Sequence, residues 1–167
     1  DYLYNYDRAL NYYFSSLKLF KKINDLQSIG ALYNNIGSIC RSKGNNNKAI
    51  DYYKSAIKIF EKINNKLGIG YCIYGIAGIY RVKGNYIKSL DYYKCALKIS
   101  RQMNHKLGVG TNYDAIGMVY IEKQNFDKAL YYHKRSFKIR KEIGDKNGLC
   151  ACLGNIGIIY NYTGNNK

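Results

Sequence analysis

The chain nearly repeats itself every 40 residues, and that period constrains its fold more than any other feature. Gly30, Gly70, Gly110 and Cys150 open four successive units, and the same residue types recur at fixed offsets inside each. Tyr52-Tyr53 is echoed by Tyr92-Tyr93 and, upstream, by Tyr12-Tyr13. Asn45 is echoed by Asn5, Asn85, Asn125 and Asn165. A fixed period of this size marks a solenoid, in which each unit buries its apolar face only against its neighbours. Such a strip offers surface for binding rather than an enclosed catalytic pocket.

One unit, Gly30 to Ile69, shows how the pattern becomes structure. Apolar residues at Leu32, Tyr33, Ile36, Ile39 and Cys40 follow the 3.6-residue rhythm of a helix with one buried stripe. Gly44 suits a left-handed helix end, and Asn45 suits the cap of the next helix. A second stripe runs through Ala49, Ile50, Tyr53, Ala56, Ile57 and Phe60 and fades near Asn64-Asn65. The same boundary reads Asn104-His105 and Gly144-Asp145 in the later units. Each unit is therefore predicted to be an antiparallel helix pair, A then B. The absence of proline suits a chain that is nearly all helix.

Small residues carry packing information. Gly30 and Gly37, Gly70 and Ala77, Gly110 and Gly117, and Cys150 and Gly157 fall seven apart on one face of helix A. Gly inside a helix costs about 0.5–1 kcal/mol relative to Ala, so its recurrence there predicts close helix approach. Tyr80, Tyr120 and Tyr160, with Cys40 in the same slot, are expected to fill the gap between helices A and B.

This pattern resembles the tetratricopeptide repeat. That family places a bulky residue, Leu-Gly, Tyr, Gly, Ala, an aromatic and Ala at fixed offsets along its helix pair. The first unit sets Tyr33, Ile36, Gly37, Cys40, Gly44, Ala49, Tyr53 and Ala56 at those positions. The second sets Ile73, Ile76, Ala77, Tyr80, Gly84, Ser89, Tyr93 and Ala96. The third reads Tyr113, Ile116, Gly117, Tyr120, Gln124, Ala129, His133 and Ser136, and the partial fourth Leu153, Ile156, Gly157, Tyr160 and Gly164. Glu61, Arg101 and Lys141 replace the family's terminal Pro, and the period is 40 rather than about 34. Both departures imply the long-repeat subclass. HEAT and armadillo repeats share the longer period but lack this Gly/Ala/aromatic code.

The resemblance implies an all-α, right-handed superhelical solenoid of antiparallel helix pairs, about eight helices in all. Its expected divisions are a half repeat at 1–29, full repeats at 30–69, 70–109 and 110–149, and a half repeat at 150–167. The chain begins and ends in mid-repeat, which reads as an excerpt of a longer protein. Helix B at Asp7–Ile23 and helix A at Ala151–Tyr162 then lack their partners, so head-to-tail self-association is expected of the isolated piece.

Nothing in the sequence assembles a catalytic constellation. His105 falls in an expected interhelix turn, and His133 occupies the aromatic slot of a B helix as a core substitution. Asp51 and Asp91 recur at one offset on the outer face of helix B and read as surface charges. There is no phosphate-cradling Gly-rich loop, nucleophile elbow or metal-ligand spacing, so neither enzyme activity nor a cofactor or metal is expected. Cys40, Cys72, Cys95, Cys150 and Cys152 are odd in number and read as free thiols of a reducing compartment. With no secretory signal pattern and no apolar run of about 18 residues, a cytoplasmic location away from membranes is expected.

Binding is the remaining class. Family geometry places Asn34, Asn35, Ser38, Arg41, Tyr71, Tyr74, Arg81, Asp114, Met118, Asn155, Ile158 and Tyr162 on a concave peptide-binding groove. Asn35 and Asn155 stand where family members often clamp a peptide backbone. The partner implied is a protein or peptide held by a non-catalytic scaffold. A sensory or regulatory arm of a larger signalling enzyme or transcriptional regulator is the alternative. The net charge of +16, from 27 Lys+Arg against 11 Asp+Glu, adds nucleic acid or another polyanion as a third partner. Lys58, Lys98 and Lys138 form one of several lysine ladders, which read as a solvated face or as a polyanion ridge.

Overall fold

A computed structural model describes residues 2–164, with side chains from Asn5 onward; Asn165, Asn166 and Lys167 lie outside the described residues. Eight helices follow one another: α1 (Tyr2–Lys22), α2 (Leu26–Ser42), α3 (Asn46–Lys62), α4 (Lys66–Val82), α5 (Tyr86–Gln102), α6 (Lys106–Glu122), α7 (Phe126–Glu142) and α8 (Lys146–Thr163). Among the described residues there is no strand.

The 40-residue period resolves into two equal halves. Helices α2 to α7 each contain 17 residues. Each turn carries one left-handed residue, at Asn24, Gly44, Asn64, Gly84, Asn104, Gln124, Gly144 and Gly164, spaced 20 apart. Gly takes this conformation without strain, and Asn tolerates it because its short amide bonds locally. In five of the seven interhelix turns the next residue caps the following helix with its side chain, while Asn45 and His105 make no such bond. Asp25, Asn65, Asn85, Asn125 and Asp145 each accept a bond from the backbone N–H three residues on. Asn45 departs from its expected role, for its side chain makes no capping bond. The start of α3 rests on backbone bonds instead, Asn46 N–H to Gly44 O at 2.8 Å and Ala49 N–H to Asn45 O at 3.0 Å.

The chain divides into two compact units, Asp1–Ile79 and Tyr80–Lys167. In the first, a Cβ built on Gly30 of α2 would lie 2.6 Å from the Phe60 ring of α3, and one on Gly37 3.0 Å from Tyr53. Numbers rise along α2 as they fall along α3, so the two helices run antiparallel. The other faces of the same two rings meet Gly68 and Gly75 of α4, each at 2.6 Å from such a Cβ. Phe60 and Tyr53 are thus clasped between paired glycines, and the core closes with Ile36, Ala49, Ala56 and Ile76. The close approach expected of Gly30 and Gly37 is met; on the other side of helix B it is made by Gly68 and Gly75 rather than by the expected pair, and Gly157 of α8 has open space around it.

In the second unit the register continues with different chemistry. Gly117 of α6 faces His133 of α7, and Gly110 faces Ser136 and Arg140. The Tyr80 slot behaves as expected. Tyr80 stacks on Tyr92 with centroids 5.4 Å apart, and Tyr120 on Tyr132 at 5.6 Å. Lys88 and Lys128 of one lysine ladder lie over the Tyr80 and Tyr120 rings at 5.4 and 5.5 Å, which ties part of the basic surface to aromatic faces.

Candidate functional site

Three of the expected groove residues converge in the first unit. Asn34 and Asn35 of α2 and Tyr71 of α4 line one open cleft of about 230 Å³ with Gln27, Ala31, Phe60, Asn65, Leu67 and Gly68. Its floor is apolar, and four amide side chains rim it. Asn65 Nδ2 donates to Gln27 Oε1 at 2.9 Å, which bridges α2 to the turn before α4. The Asn65 Oδ1 already accepts the Gly68 N–H at 2.8 Å as a helix cap. Asn34 is half-buried, and its Oδ1 accepts the Cys72 thiol at 3.5 Å. Asn35 is exposed, and Tyr71 keeps about half its surface in solvent at 52 %.

The remaining first-unit candidates do not line this cleft. Ser38 is half-buried and shares a hydrogen bond of 3.0 Å with the Tyr53 hydroxyl. Arg41 is exposed at the end of α2, and Tyr74 is half-buried on α4. In the second unit, Arg81 donates to Glu122, and the pair neutralises itself. Met118 and Asn155 are half-buried, while Ile158 and Tyr162 are exposed, the latter stacked on Phe126 with centroids 5.6 Å apart.

Asp114 belongs to a buried polar cluster that joins α6, α7 and α8. Arg140 Nε and Nη2 reach its Oδ2 at 2.9 and 2.8 Å, and His133 Nδ1 reaches Oδ1 at 3.2 Å. Cys152 of α8 donates its thiol to the same Oδ1 at 3.2 Å. Ser136 donates to the Gly110 carbonyl at 2.9 Å and accepts from Arg140 at 3.1 Å. Arg140 also pairs with Asp145. Burial pushes the Asp114 carboxyl up, but the hydrogen bonds it accepts from His133 and Cys152 and the Arg140 charge outweigh that and hold it below the usual carboxylate value. Burial pushes the Cys152 thiol up to about 11, so it is a protonated donor at neutral pH rather than a nucleophile.

His133 is fully buried, as its reading as a core substitution requires. A carboxylate beside Nδ1 places the proton there, which leaves Nε2 an acceptor without a partner, packed against Gly117. A base sealed from solvent in this way cannot meet a substrate. Among the described residues, no three His, Cys, Asp or Glu side chains come together as a metal-ligand set, and no helix is long and apolar enough to cross a membrane.

The cleft residues Gln27, Asn65, Leu67 and Gly68 lie in the turn before α4 and at the helix starts, where sequence reasoning assigned only caps. The partners of Asp114 were visible as breaks in the repeat. Phe60 becomes Ser100 and then Arg140 at one offset, and Tyr53 and Tyr93 become His133 at another.

A family model described as tetratricopeptide repeat matches residues 3–62, 71–142 and 110–167. No curated protein matches the chain. Among solved structures, BtubC (BKLC) from P. vanneervenii is 19% identical with a TM-score of 0.82, covering 96% of this chain and 67% of that one. A Signal Transduction ATPase with Numerous Domains, with a tetratricopeptide repeat sensor, from Pyrococcus horikoshii is 22% identical at 0.80, covering 95% and 25%. A Rap protein complexed with Competence and Sporulation Factor is 17% identical at 0.62, covering 99% and 50%. At these identities the likeness shows the fold alone, an all-α solenoid of the same class. The chain spans two thirds of the first of these proteins and half or less of the other two.

Proposed function

The chain belongs to the tetratricopeptide repeat family, and on that premise we propose that it is a non-catalytic interaction module that holds an extended peptide in the first-unit cleft. The observation that carries this reading is the cleft itself: an apolar floor rimmed by Gln27, Asn34, Asn35 and Asn65, with Tyr71 at one side. Amides donate and accept at once, so a row of them matches the alternating N–H and C=O groups of an extended backbone. Tyr71 adds a rigid ring with a polar tip, the kind of anchor that dominates small interfaces. The cleft carries no charged side chain, which favours recognition of a backbone over that of a terminal carboxylate.

Selection of a random peptide library on the immobilised chain tests the reading. Peptides recovered should lose at least about tenfold in affinity on Asn35→Ala with Tyr71→Ala, since two anchors of this type contribute more than about 1.4 kcal/mol. Selected peptides that bind the double variant as tightly as the parent chain would refute it. The second reading, a sensory arm of a larger signalling protein, is favoured by the Pyrococcus horikoshii protein, whose similar repeats are described as a sensor. In that case the peptide or partner bound in the cleft is the signal.

A further inference from the structure

We propose that the second unit carries a separate binding site for a phosphate monoester, formed where Arg101 of α5 and Arg135 of α7 converge over Tyr113 of α6. Arg101 Nη2 and Arg135 Nη1 both donate to the Tyr113 hydroxyl oxygen, the second at 3.3 Å. Tyr113 is itself buried and forms the floor shared by two adjoining hollows of about 350 and 380 Å³. The Arg135 guanidinium lies over the Tyr131 ring, 4.7 Å from its centroid, and that of Arg101 lies 5.5 Å from the centroid of Tyr113. Both guanidinium groups are therefore held in place before any ligand arrives.

The charge at this point is unbalanced. Among the described residues, no ion pair joins Arg101 or Arg135 to a carboxylate. Glu142, the one acid lining the hollows, is paired with Lys106 at 3.5 Å, and Lys138 adds a further cation. Two cations thus share one neutral oxygen, which accepts their hydrogen bonds but brings no charge to separate them. The phenol reports this demand. Burial pushes its pKa up, yet the hydrogen bonds and charges of Arg135 and Arg101 bring it below the ordinary tyrosine value.

A phosphate monoester answers the demand better than a carboxylate or a phosphodiester. It carries close to two negative charges and three terminal oxygens, enough for two guanidinium forks to bind at once. The site is also a break in the repeat rather than a product of it. Forty residues earlier the same three positions hold Glu61, Ile73 and Cys95. The Lys58, Lys98 and Lys138 ladder recurs in every unit, whereas this constellation occurs once. A nucleic-acid strand needs a row of such sites along its backbone, and a single compact one suits a single phosphate.

The test is an NMR titration of the chain that follows the guanidinium Nε–H signals of Arg101 and Arg135. The probes are inorganic phosphate, phenyl phosphate, and a phosphoserine peptide with its unphosphorylated twin, at matched ionic strength. Saturable shifts of both signals with the phosphorylated probes alone are expected. Arg101→Gln with Arg135→Gln should weaken binding at least about tenfold, and Arg101→Lys with Arg135→Lys, which keeps the charge but not the fork, by about threefold or more. Lys58→Gln with Lys98→Gln should change it less than about twofold. A phosphopeptide that outbinds inorganic phosphate identifies a phosphorylated partner chain as the source, and equal binding identifies a small phosphate. Shifts that never saturate, or a Gln double variant that binds as well as the parent, would overturn the site. So would an RNA oligonucleotide that binds the parent and that variant alike while phosphate does not bind. Both arginines are exposed, so circular dichroism should show the variants folded.

Discussion

Replacing Arg140 by Met tests the reasoning about the buried cluster most sharply. Methionine keeps most of the apolar stem of the side chain and removes the guanidinium. Arg140 and Asp114 are 11 % and 15 % exposed, and two of the arginine's nitrogens reach the carboxylate within 2.9 Å. Removing one partner of a buried pair costs about 3–5 kcal/mol, because the remaining charge is left uncompensated. The lower end applies here. Asp114 keeps its bonds from His133 and Cys152. Asp145 loses a partner too, but it is half-exposed and keeps its cap on Gly148. We expect a loss of about 3 kcal/mol, which at a urea dependence of about 2 kcal/mol/M lowers the midpoint by roughly 1.5 M.

Two further measurements isolate the cause. Asp114→Asn with Arg140→Met removes both charges and should recover to within about 1 kcal/mol of the parent, since apolar replacement of a buried pair is often neutral. The pH dependence has a definite sign. The folded Asp114 carboxyl lies below its unfolded value of about 3.9, so its contribution is complete above that pH and is lost as pH falls through the lower, folded value. The deficit of the single variant should therefore be largest at neutral pH and shrink as acid protonates the stranded carboxylate. A single variant within about 1 kcal/mol of the parent, or a double variant no better than the single, would refute the assignment of Arg140 as the partner that makes Asp114 tolerable.

Other outcomes follow from the packing. Gly68→Ala should destabilise by about 1–3 kcal/mol, because its Cβ would sit 2.6 Å from Phe60, whereas Gly154→Ala, with open space around it, should stabilise by about 0.5–1 kcal/mol in the same urea titration. Gln124 holds φ 56° where Gly44, Gly84 and Gly164 hold the equivalent position, so Gln124→Gly should raise the Tm by about 2 °C. Iodoacetamide at pH 8 should label the exposed Cys95 and Cys150 first. Cys72, whose thiol burial pushes up to about 12, and Cys152 should react only on unfolding, as peptide mass spectrometry will report.

The helix pairs were legible in the sequence because they depend on features that recur. A left-handed residue every 20 positions, a capping side chain after it and a small residue facing an aromatic one can each be read at four offsets. What the pattern could not convey is how a half-turn shifts a helix start. The cleft takes Gln27, Asn65, Leu67 and Gly68 from positions where the sequence read only turn chemistry, because the 17-residue helices begin before the Gly that opens each unit. Of the groove residues implied by family geometry, Asn34, Asn35 and Tyr71 share one cleft, and several others are taken up by partners within the fold. Ser38 serves Tyr53, Arg81 serves Glu122, and Asp114 serves Arg140. Such pairing is decided by the side chain on a facing helix, within the unit for Ser38 and Asp114 and one unit on for Arg81, and periodicity does not specify it.

Where the period fails, the departures are of two kinds. At one slot, Phe60 sits between Gly30 and Gly68, and 80 residues later Arg140 sits between Gly110 and Gly148 in the same backbone frame. The glycines are unchanged, so the frame has room for either side chain, and the change from ring to guanidinium is balanced only because Asn34 has become Asp114 and Asn65 has become Asp145. A compensated set of this kind can be recognised from sequence by aligning the chain with itself and asking which departures come in matched charge. Arg101 and Arg135 fail that search, for the one acid that arrives beside them, Glu142, pairs with Lys106, and both arginines donate to one tyrosine oxygen. Two arginines fixed on one tyrosine oxygen, in a repeat whose buried Arg140 brought its own acids with it, are the mark of a site whose missing partner is a ligand.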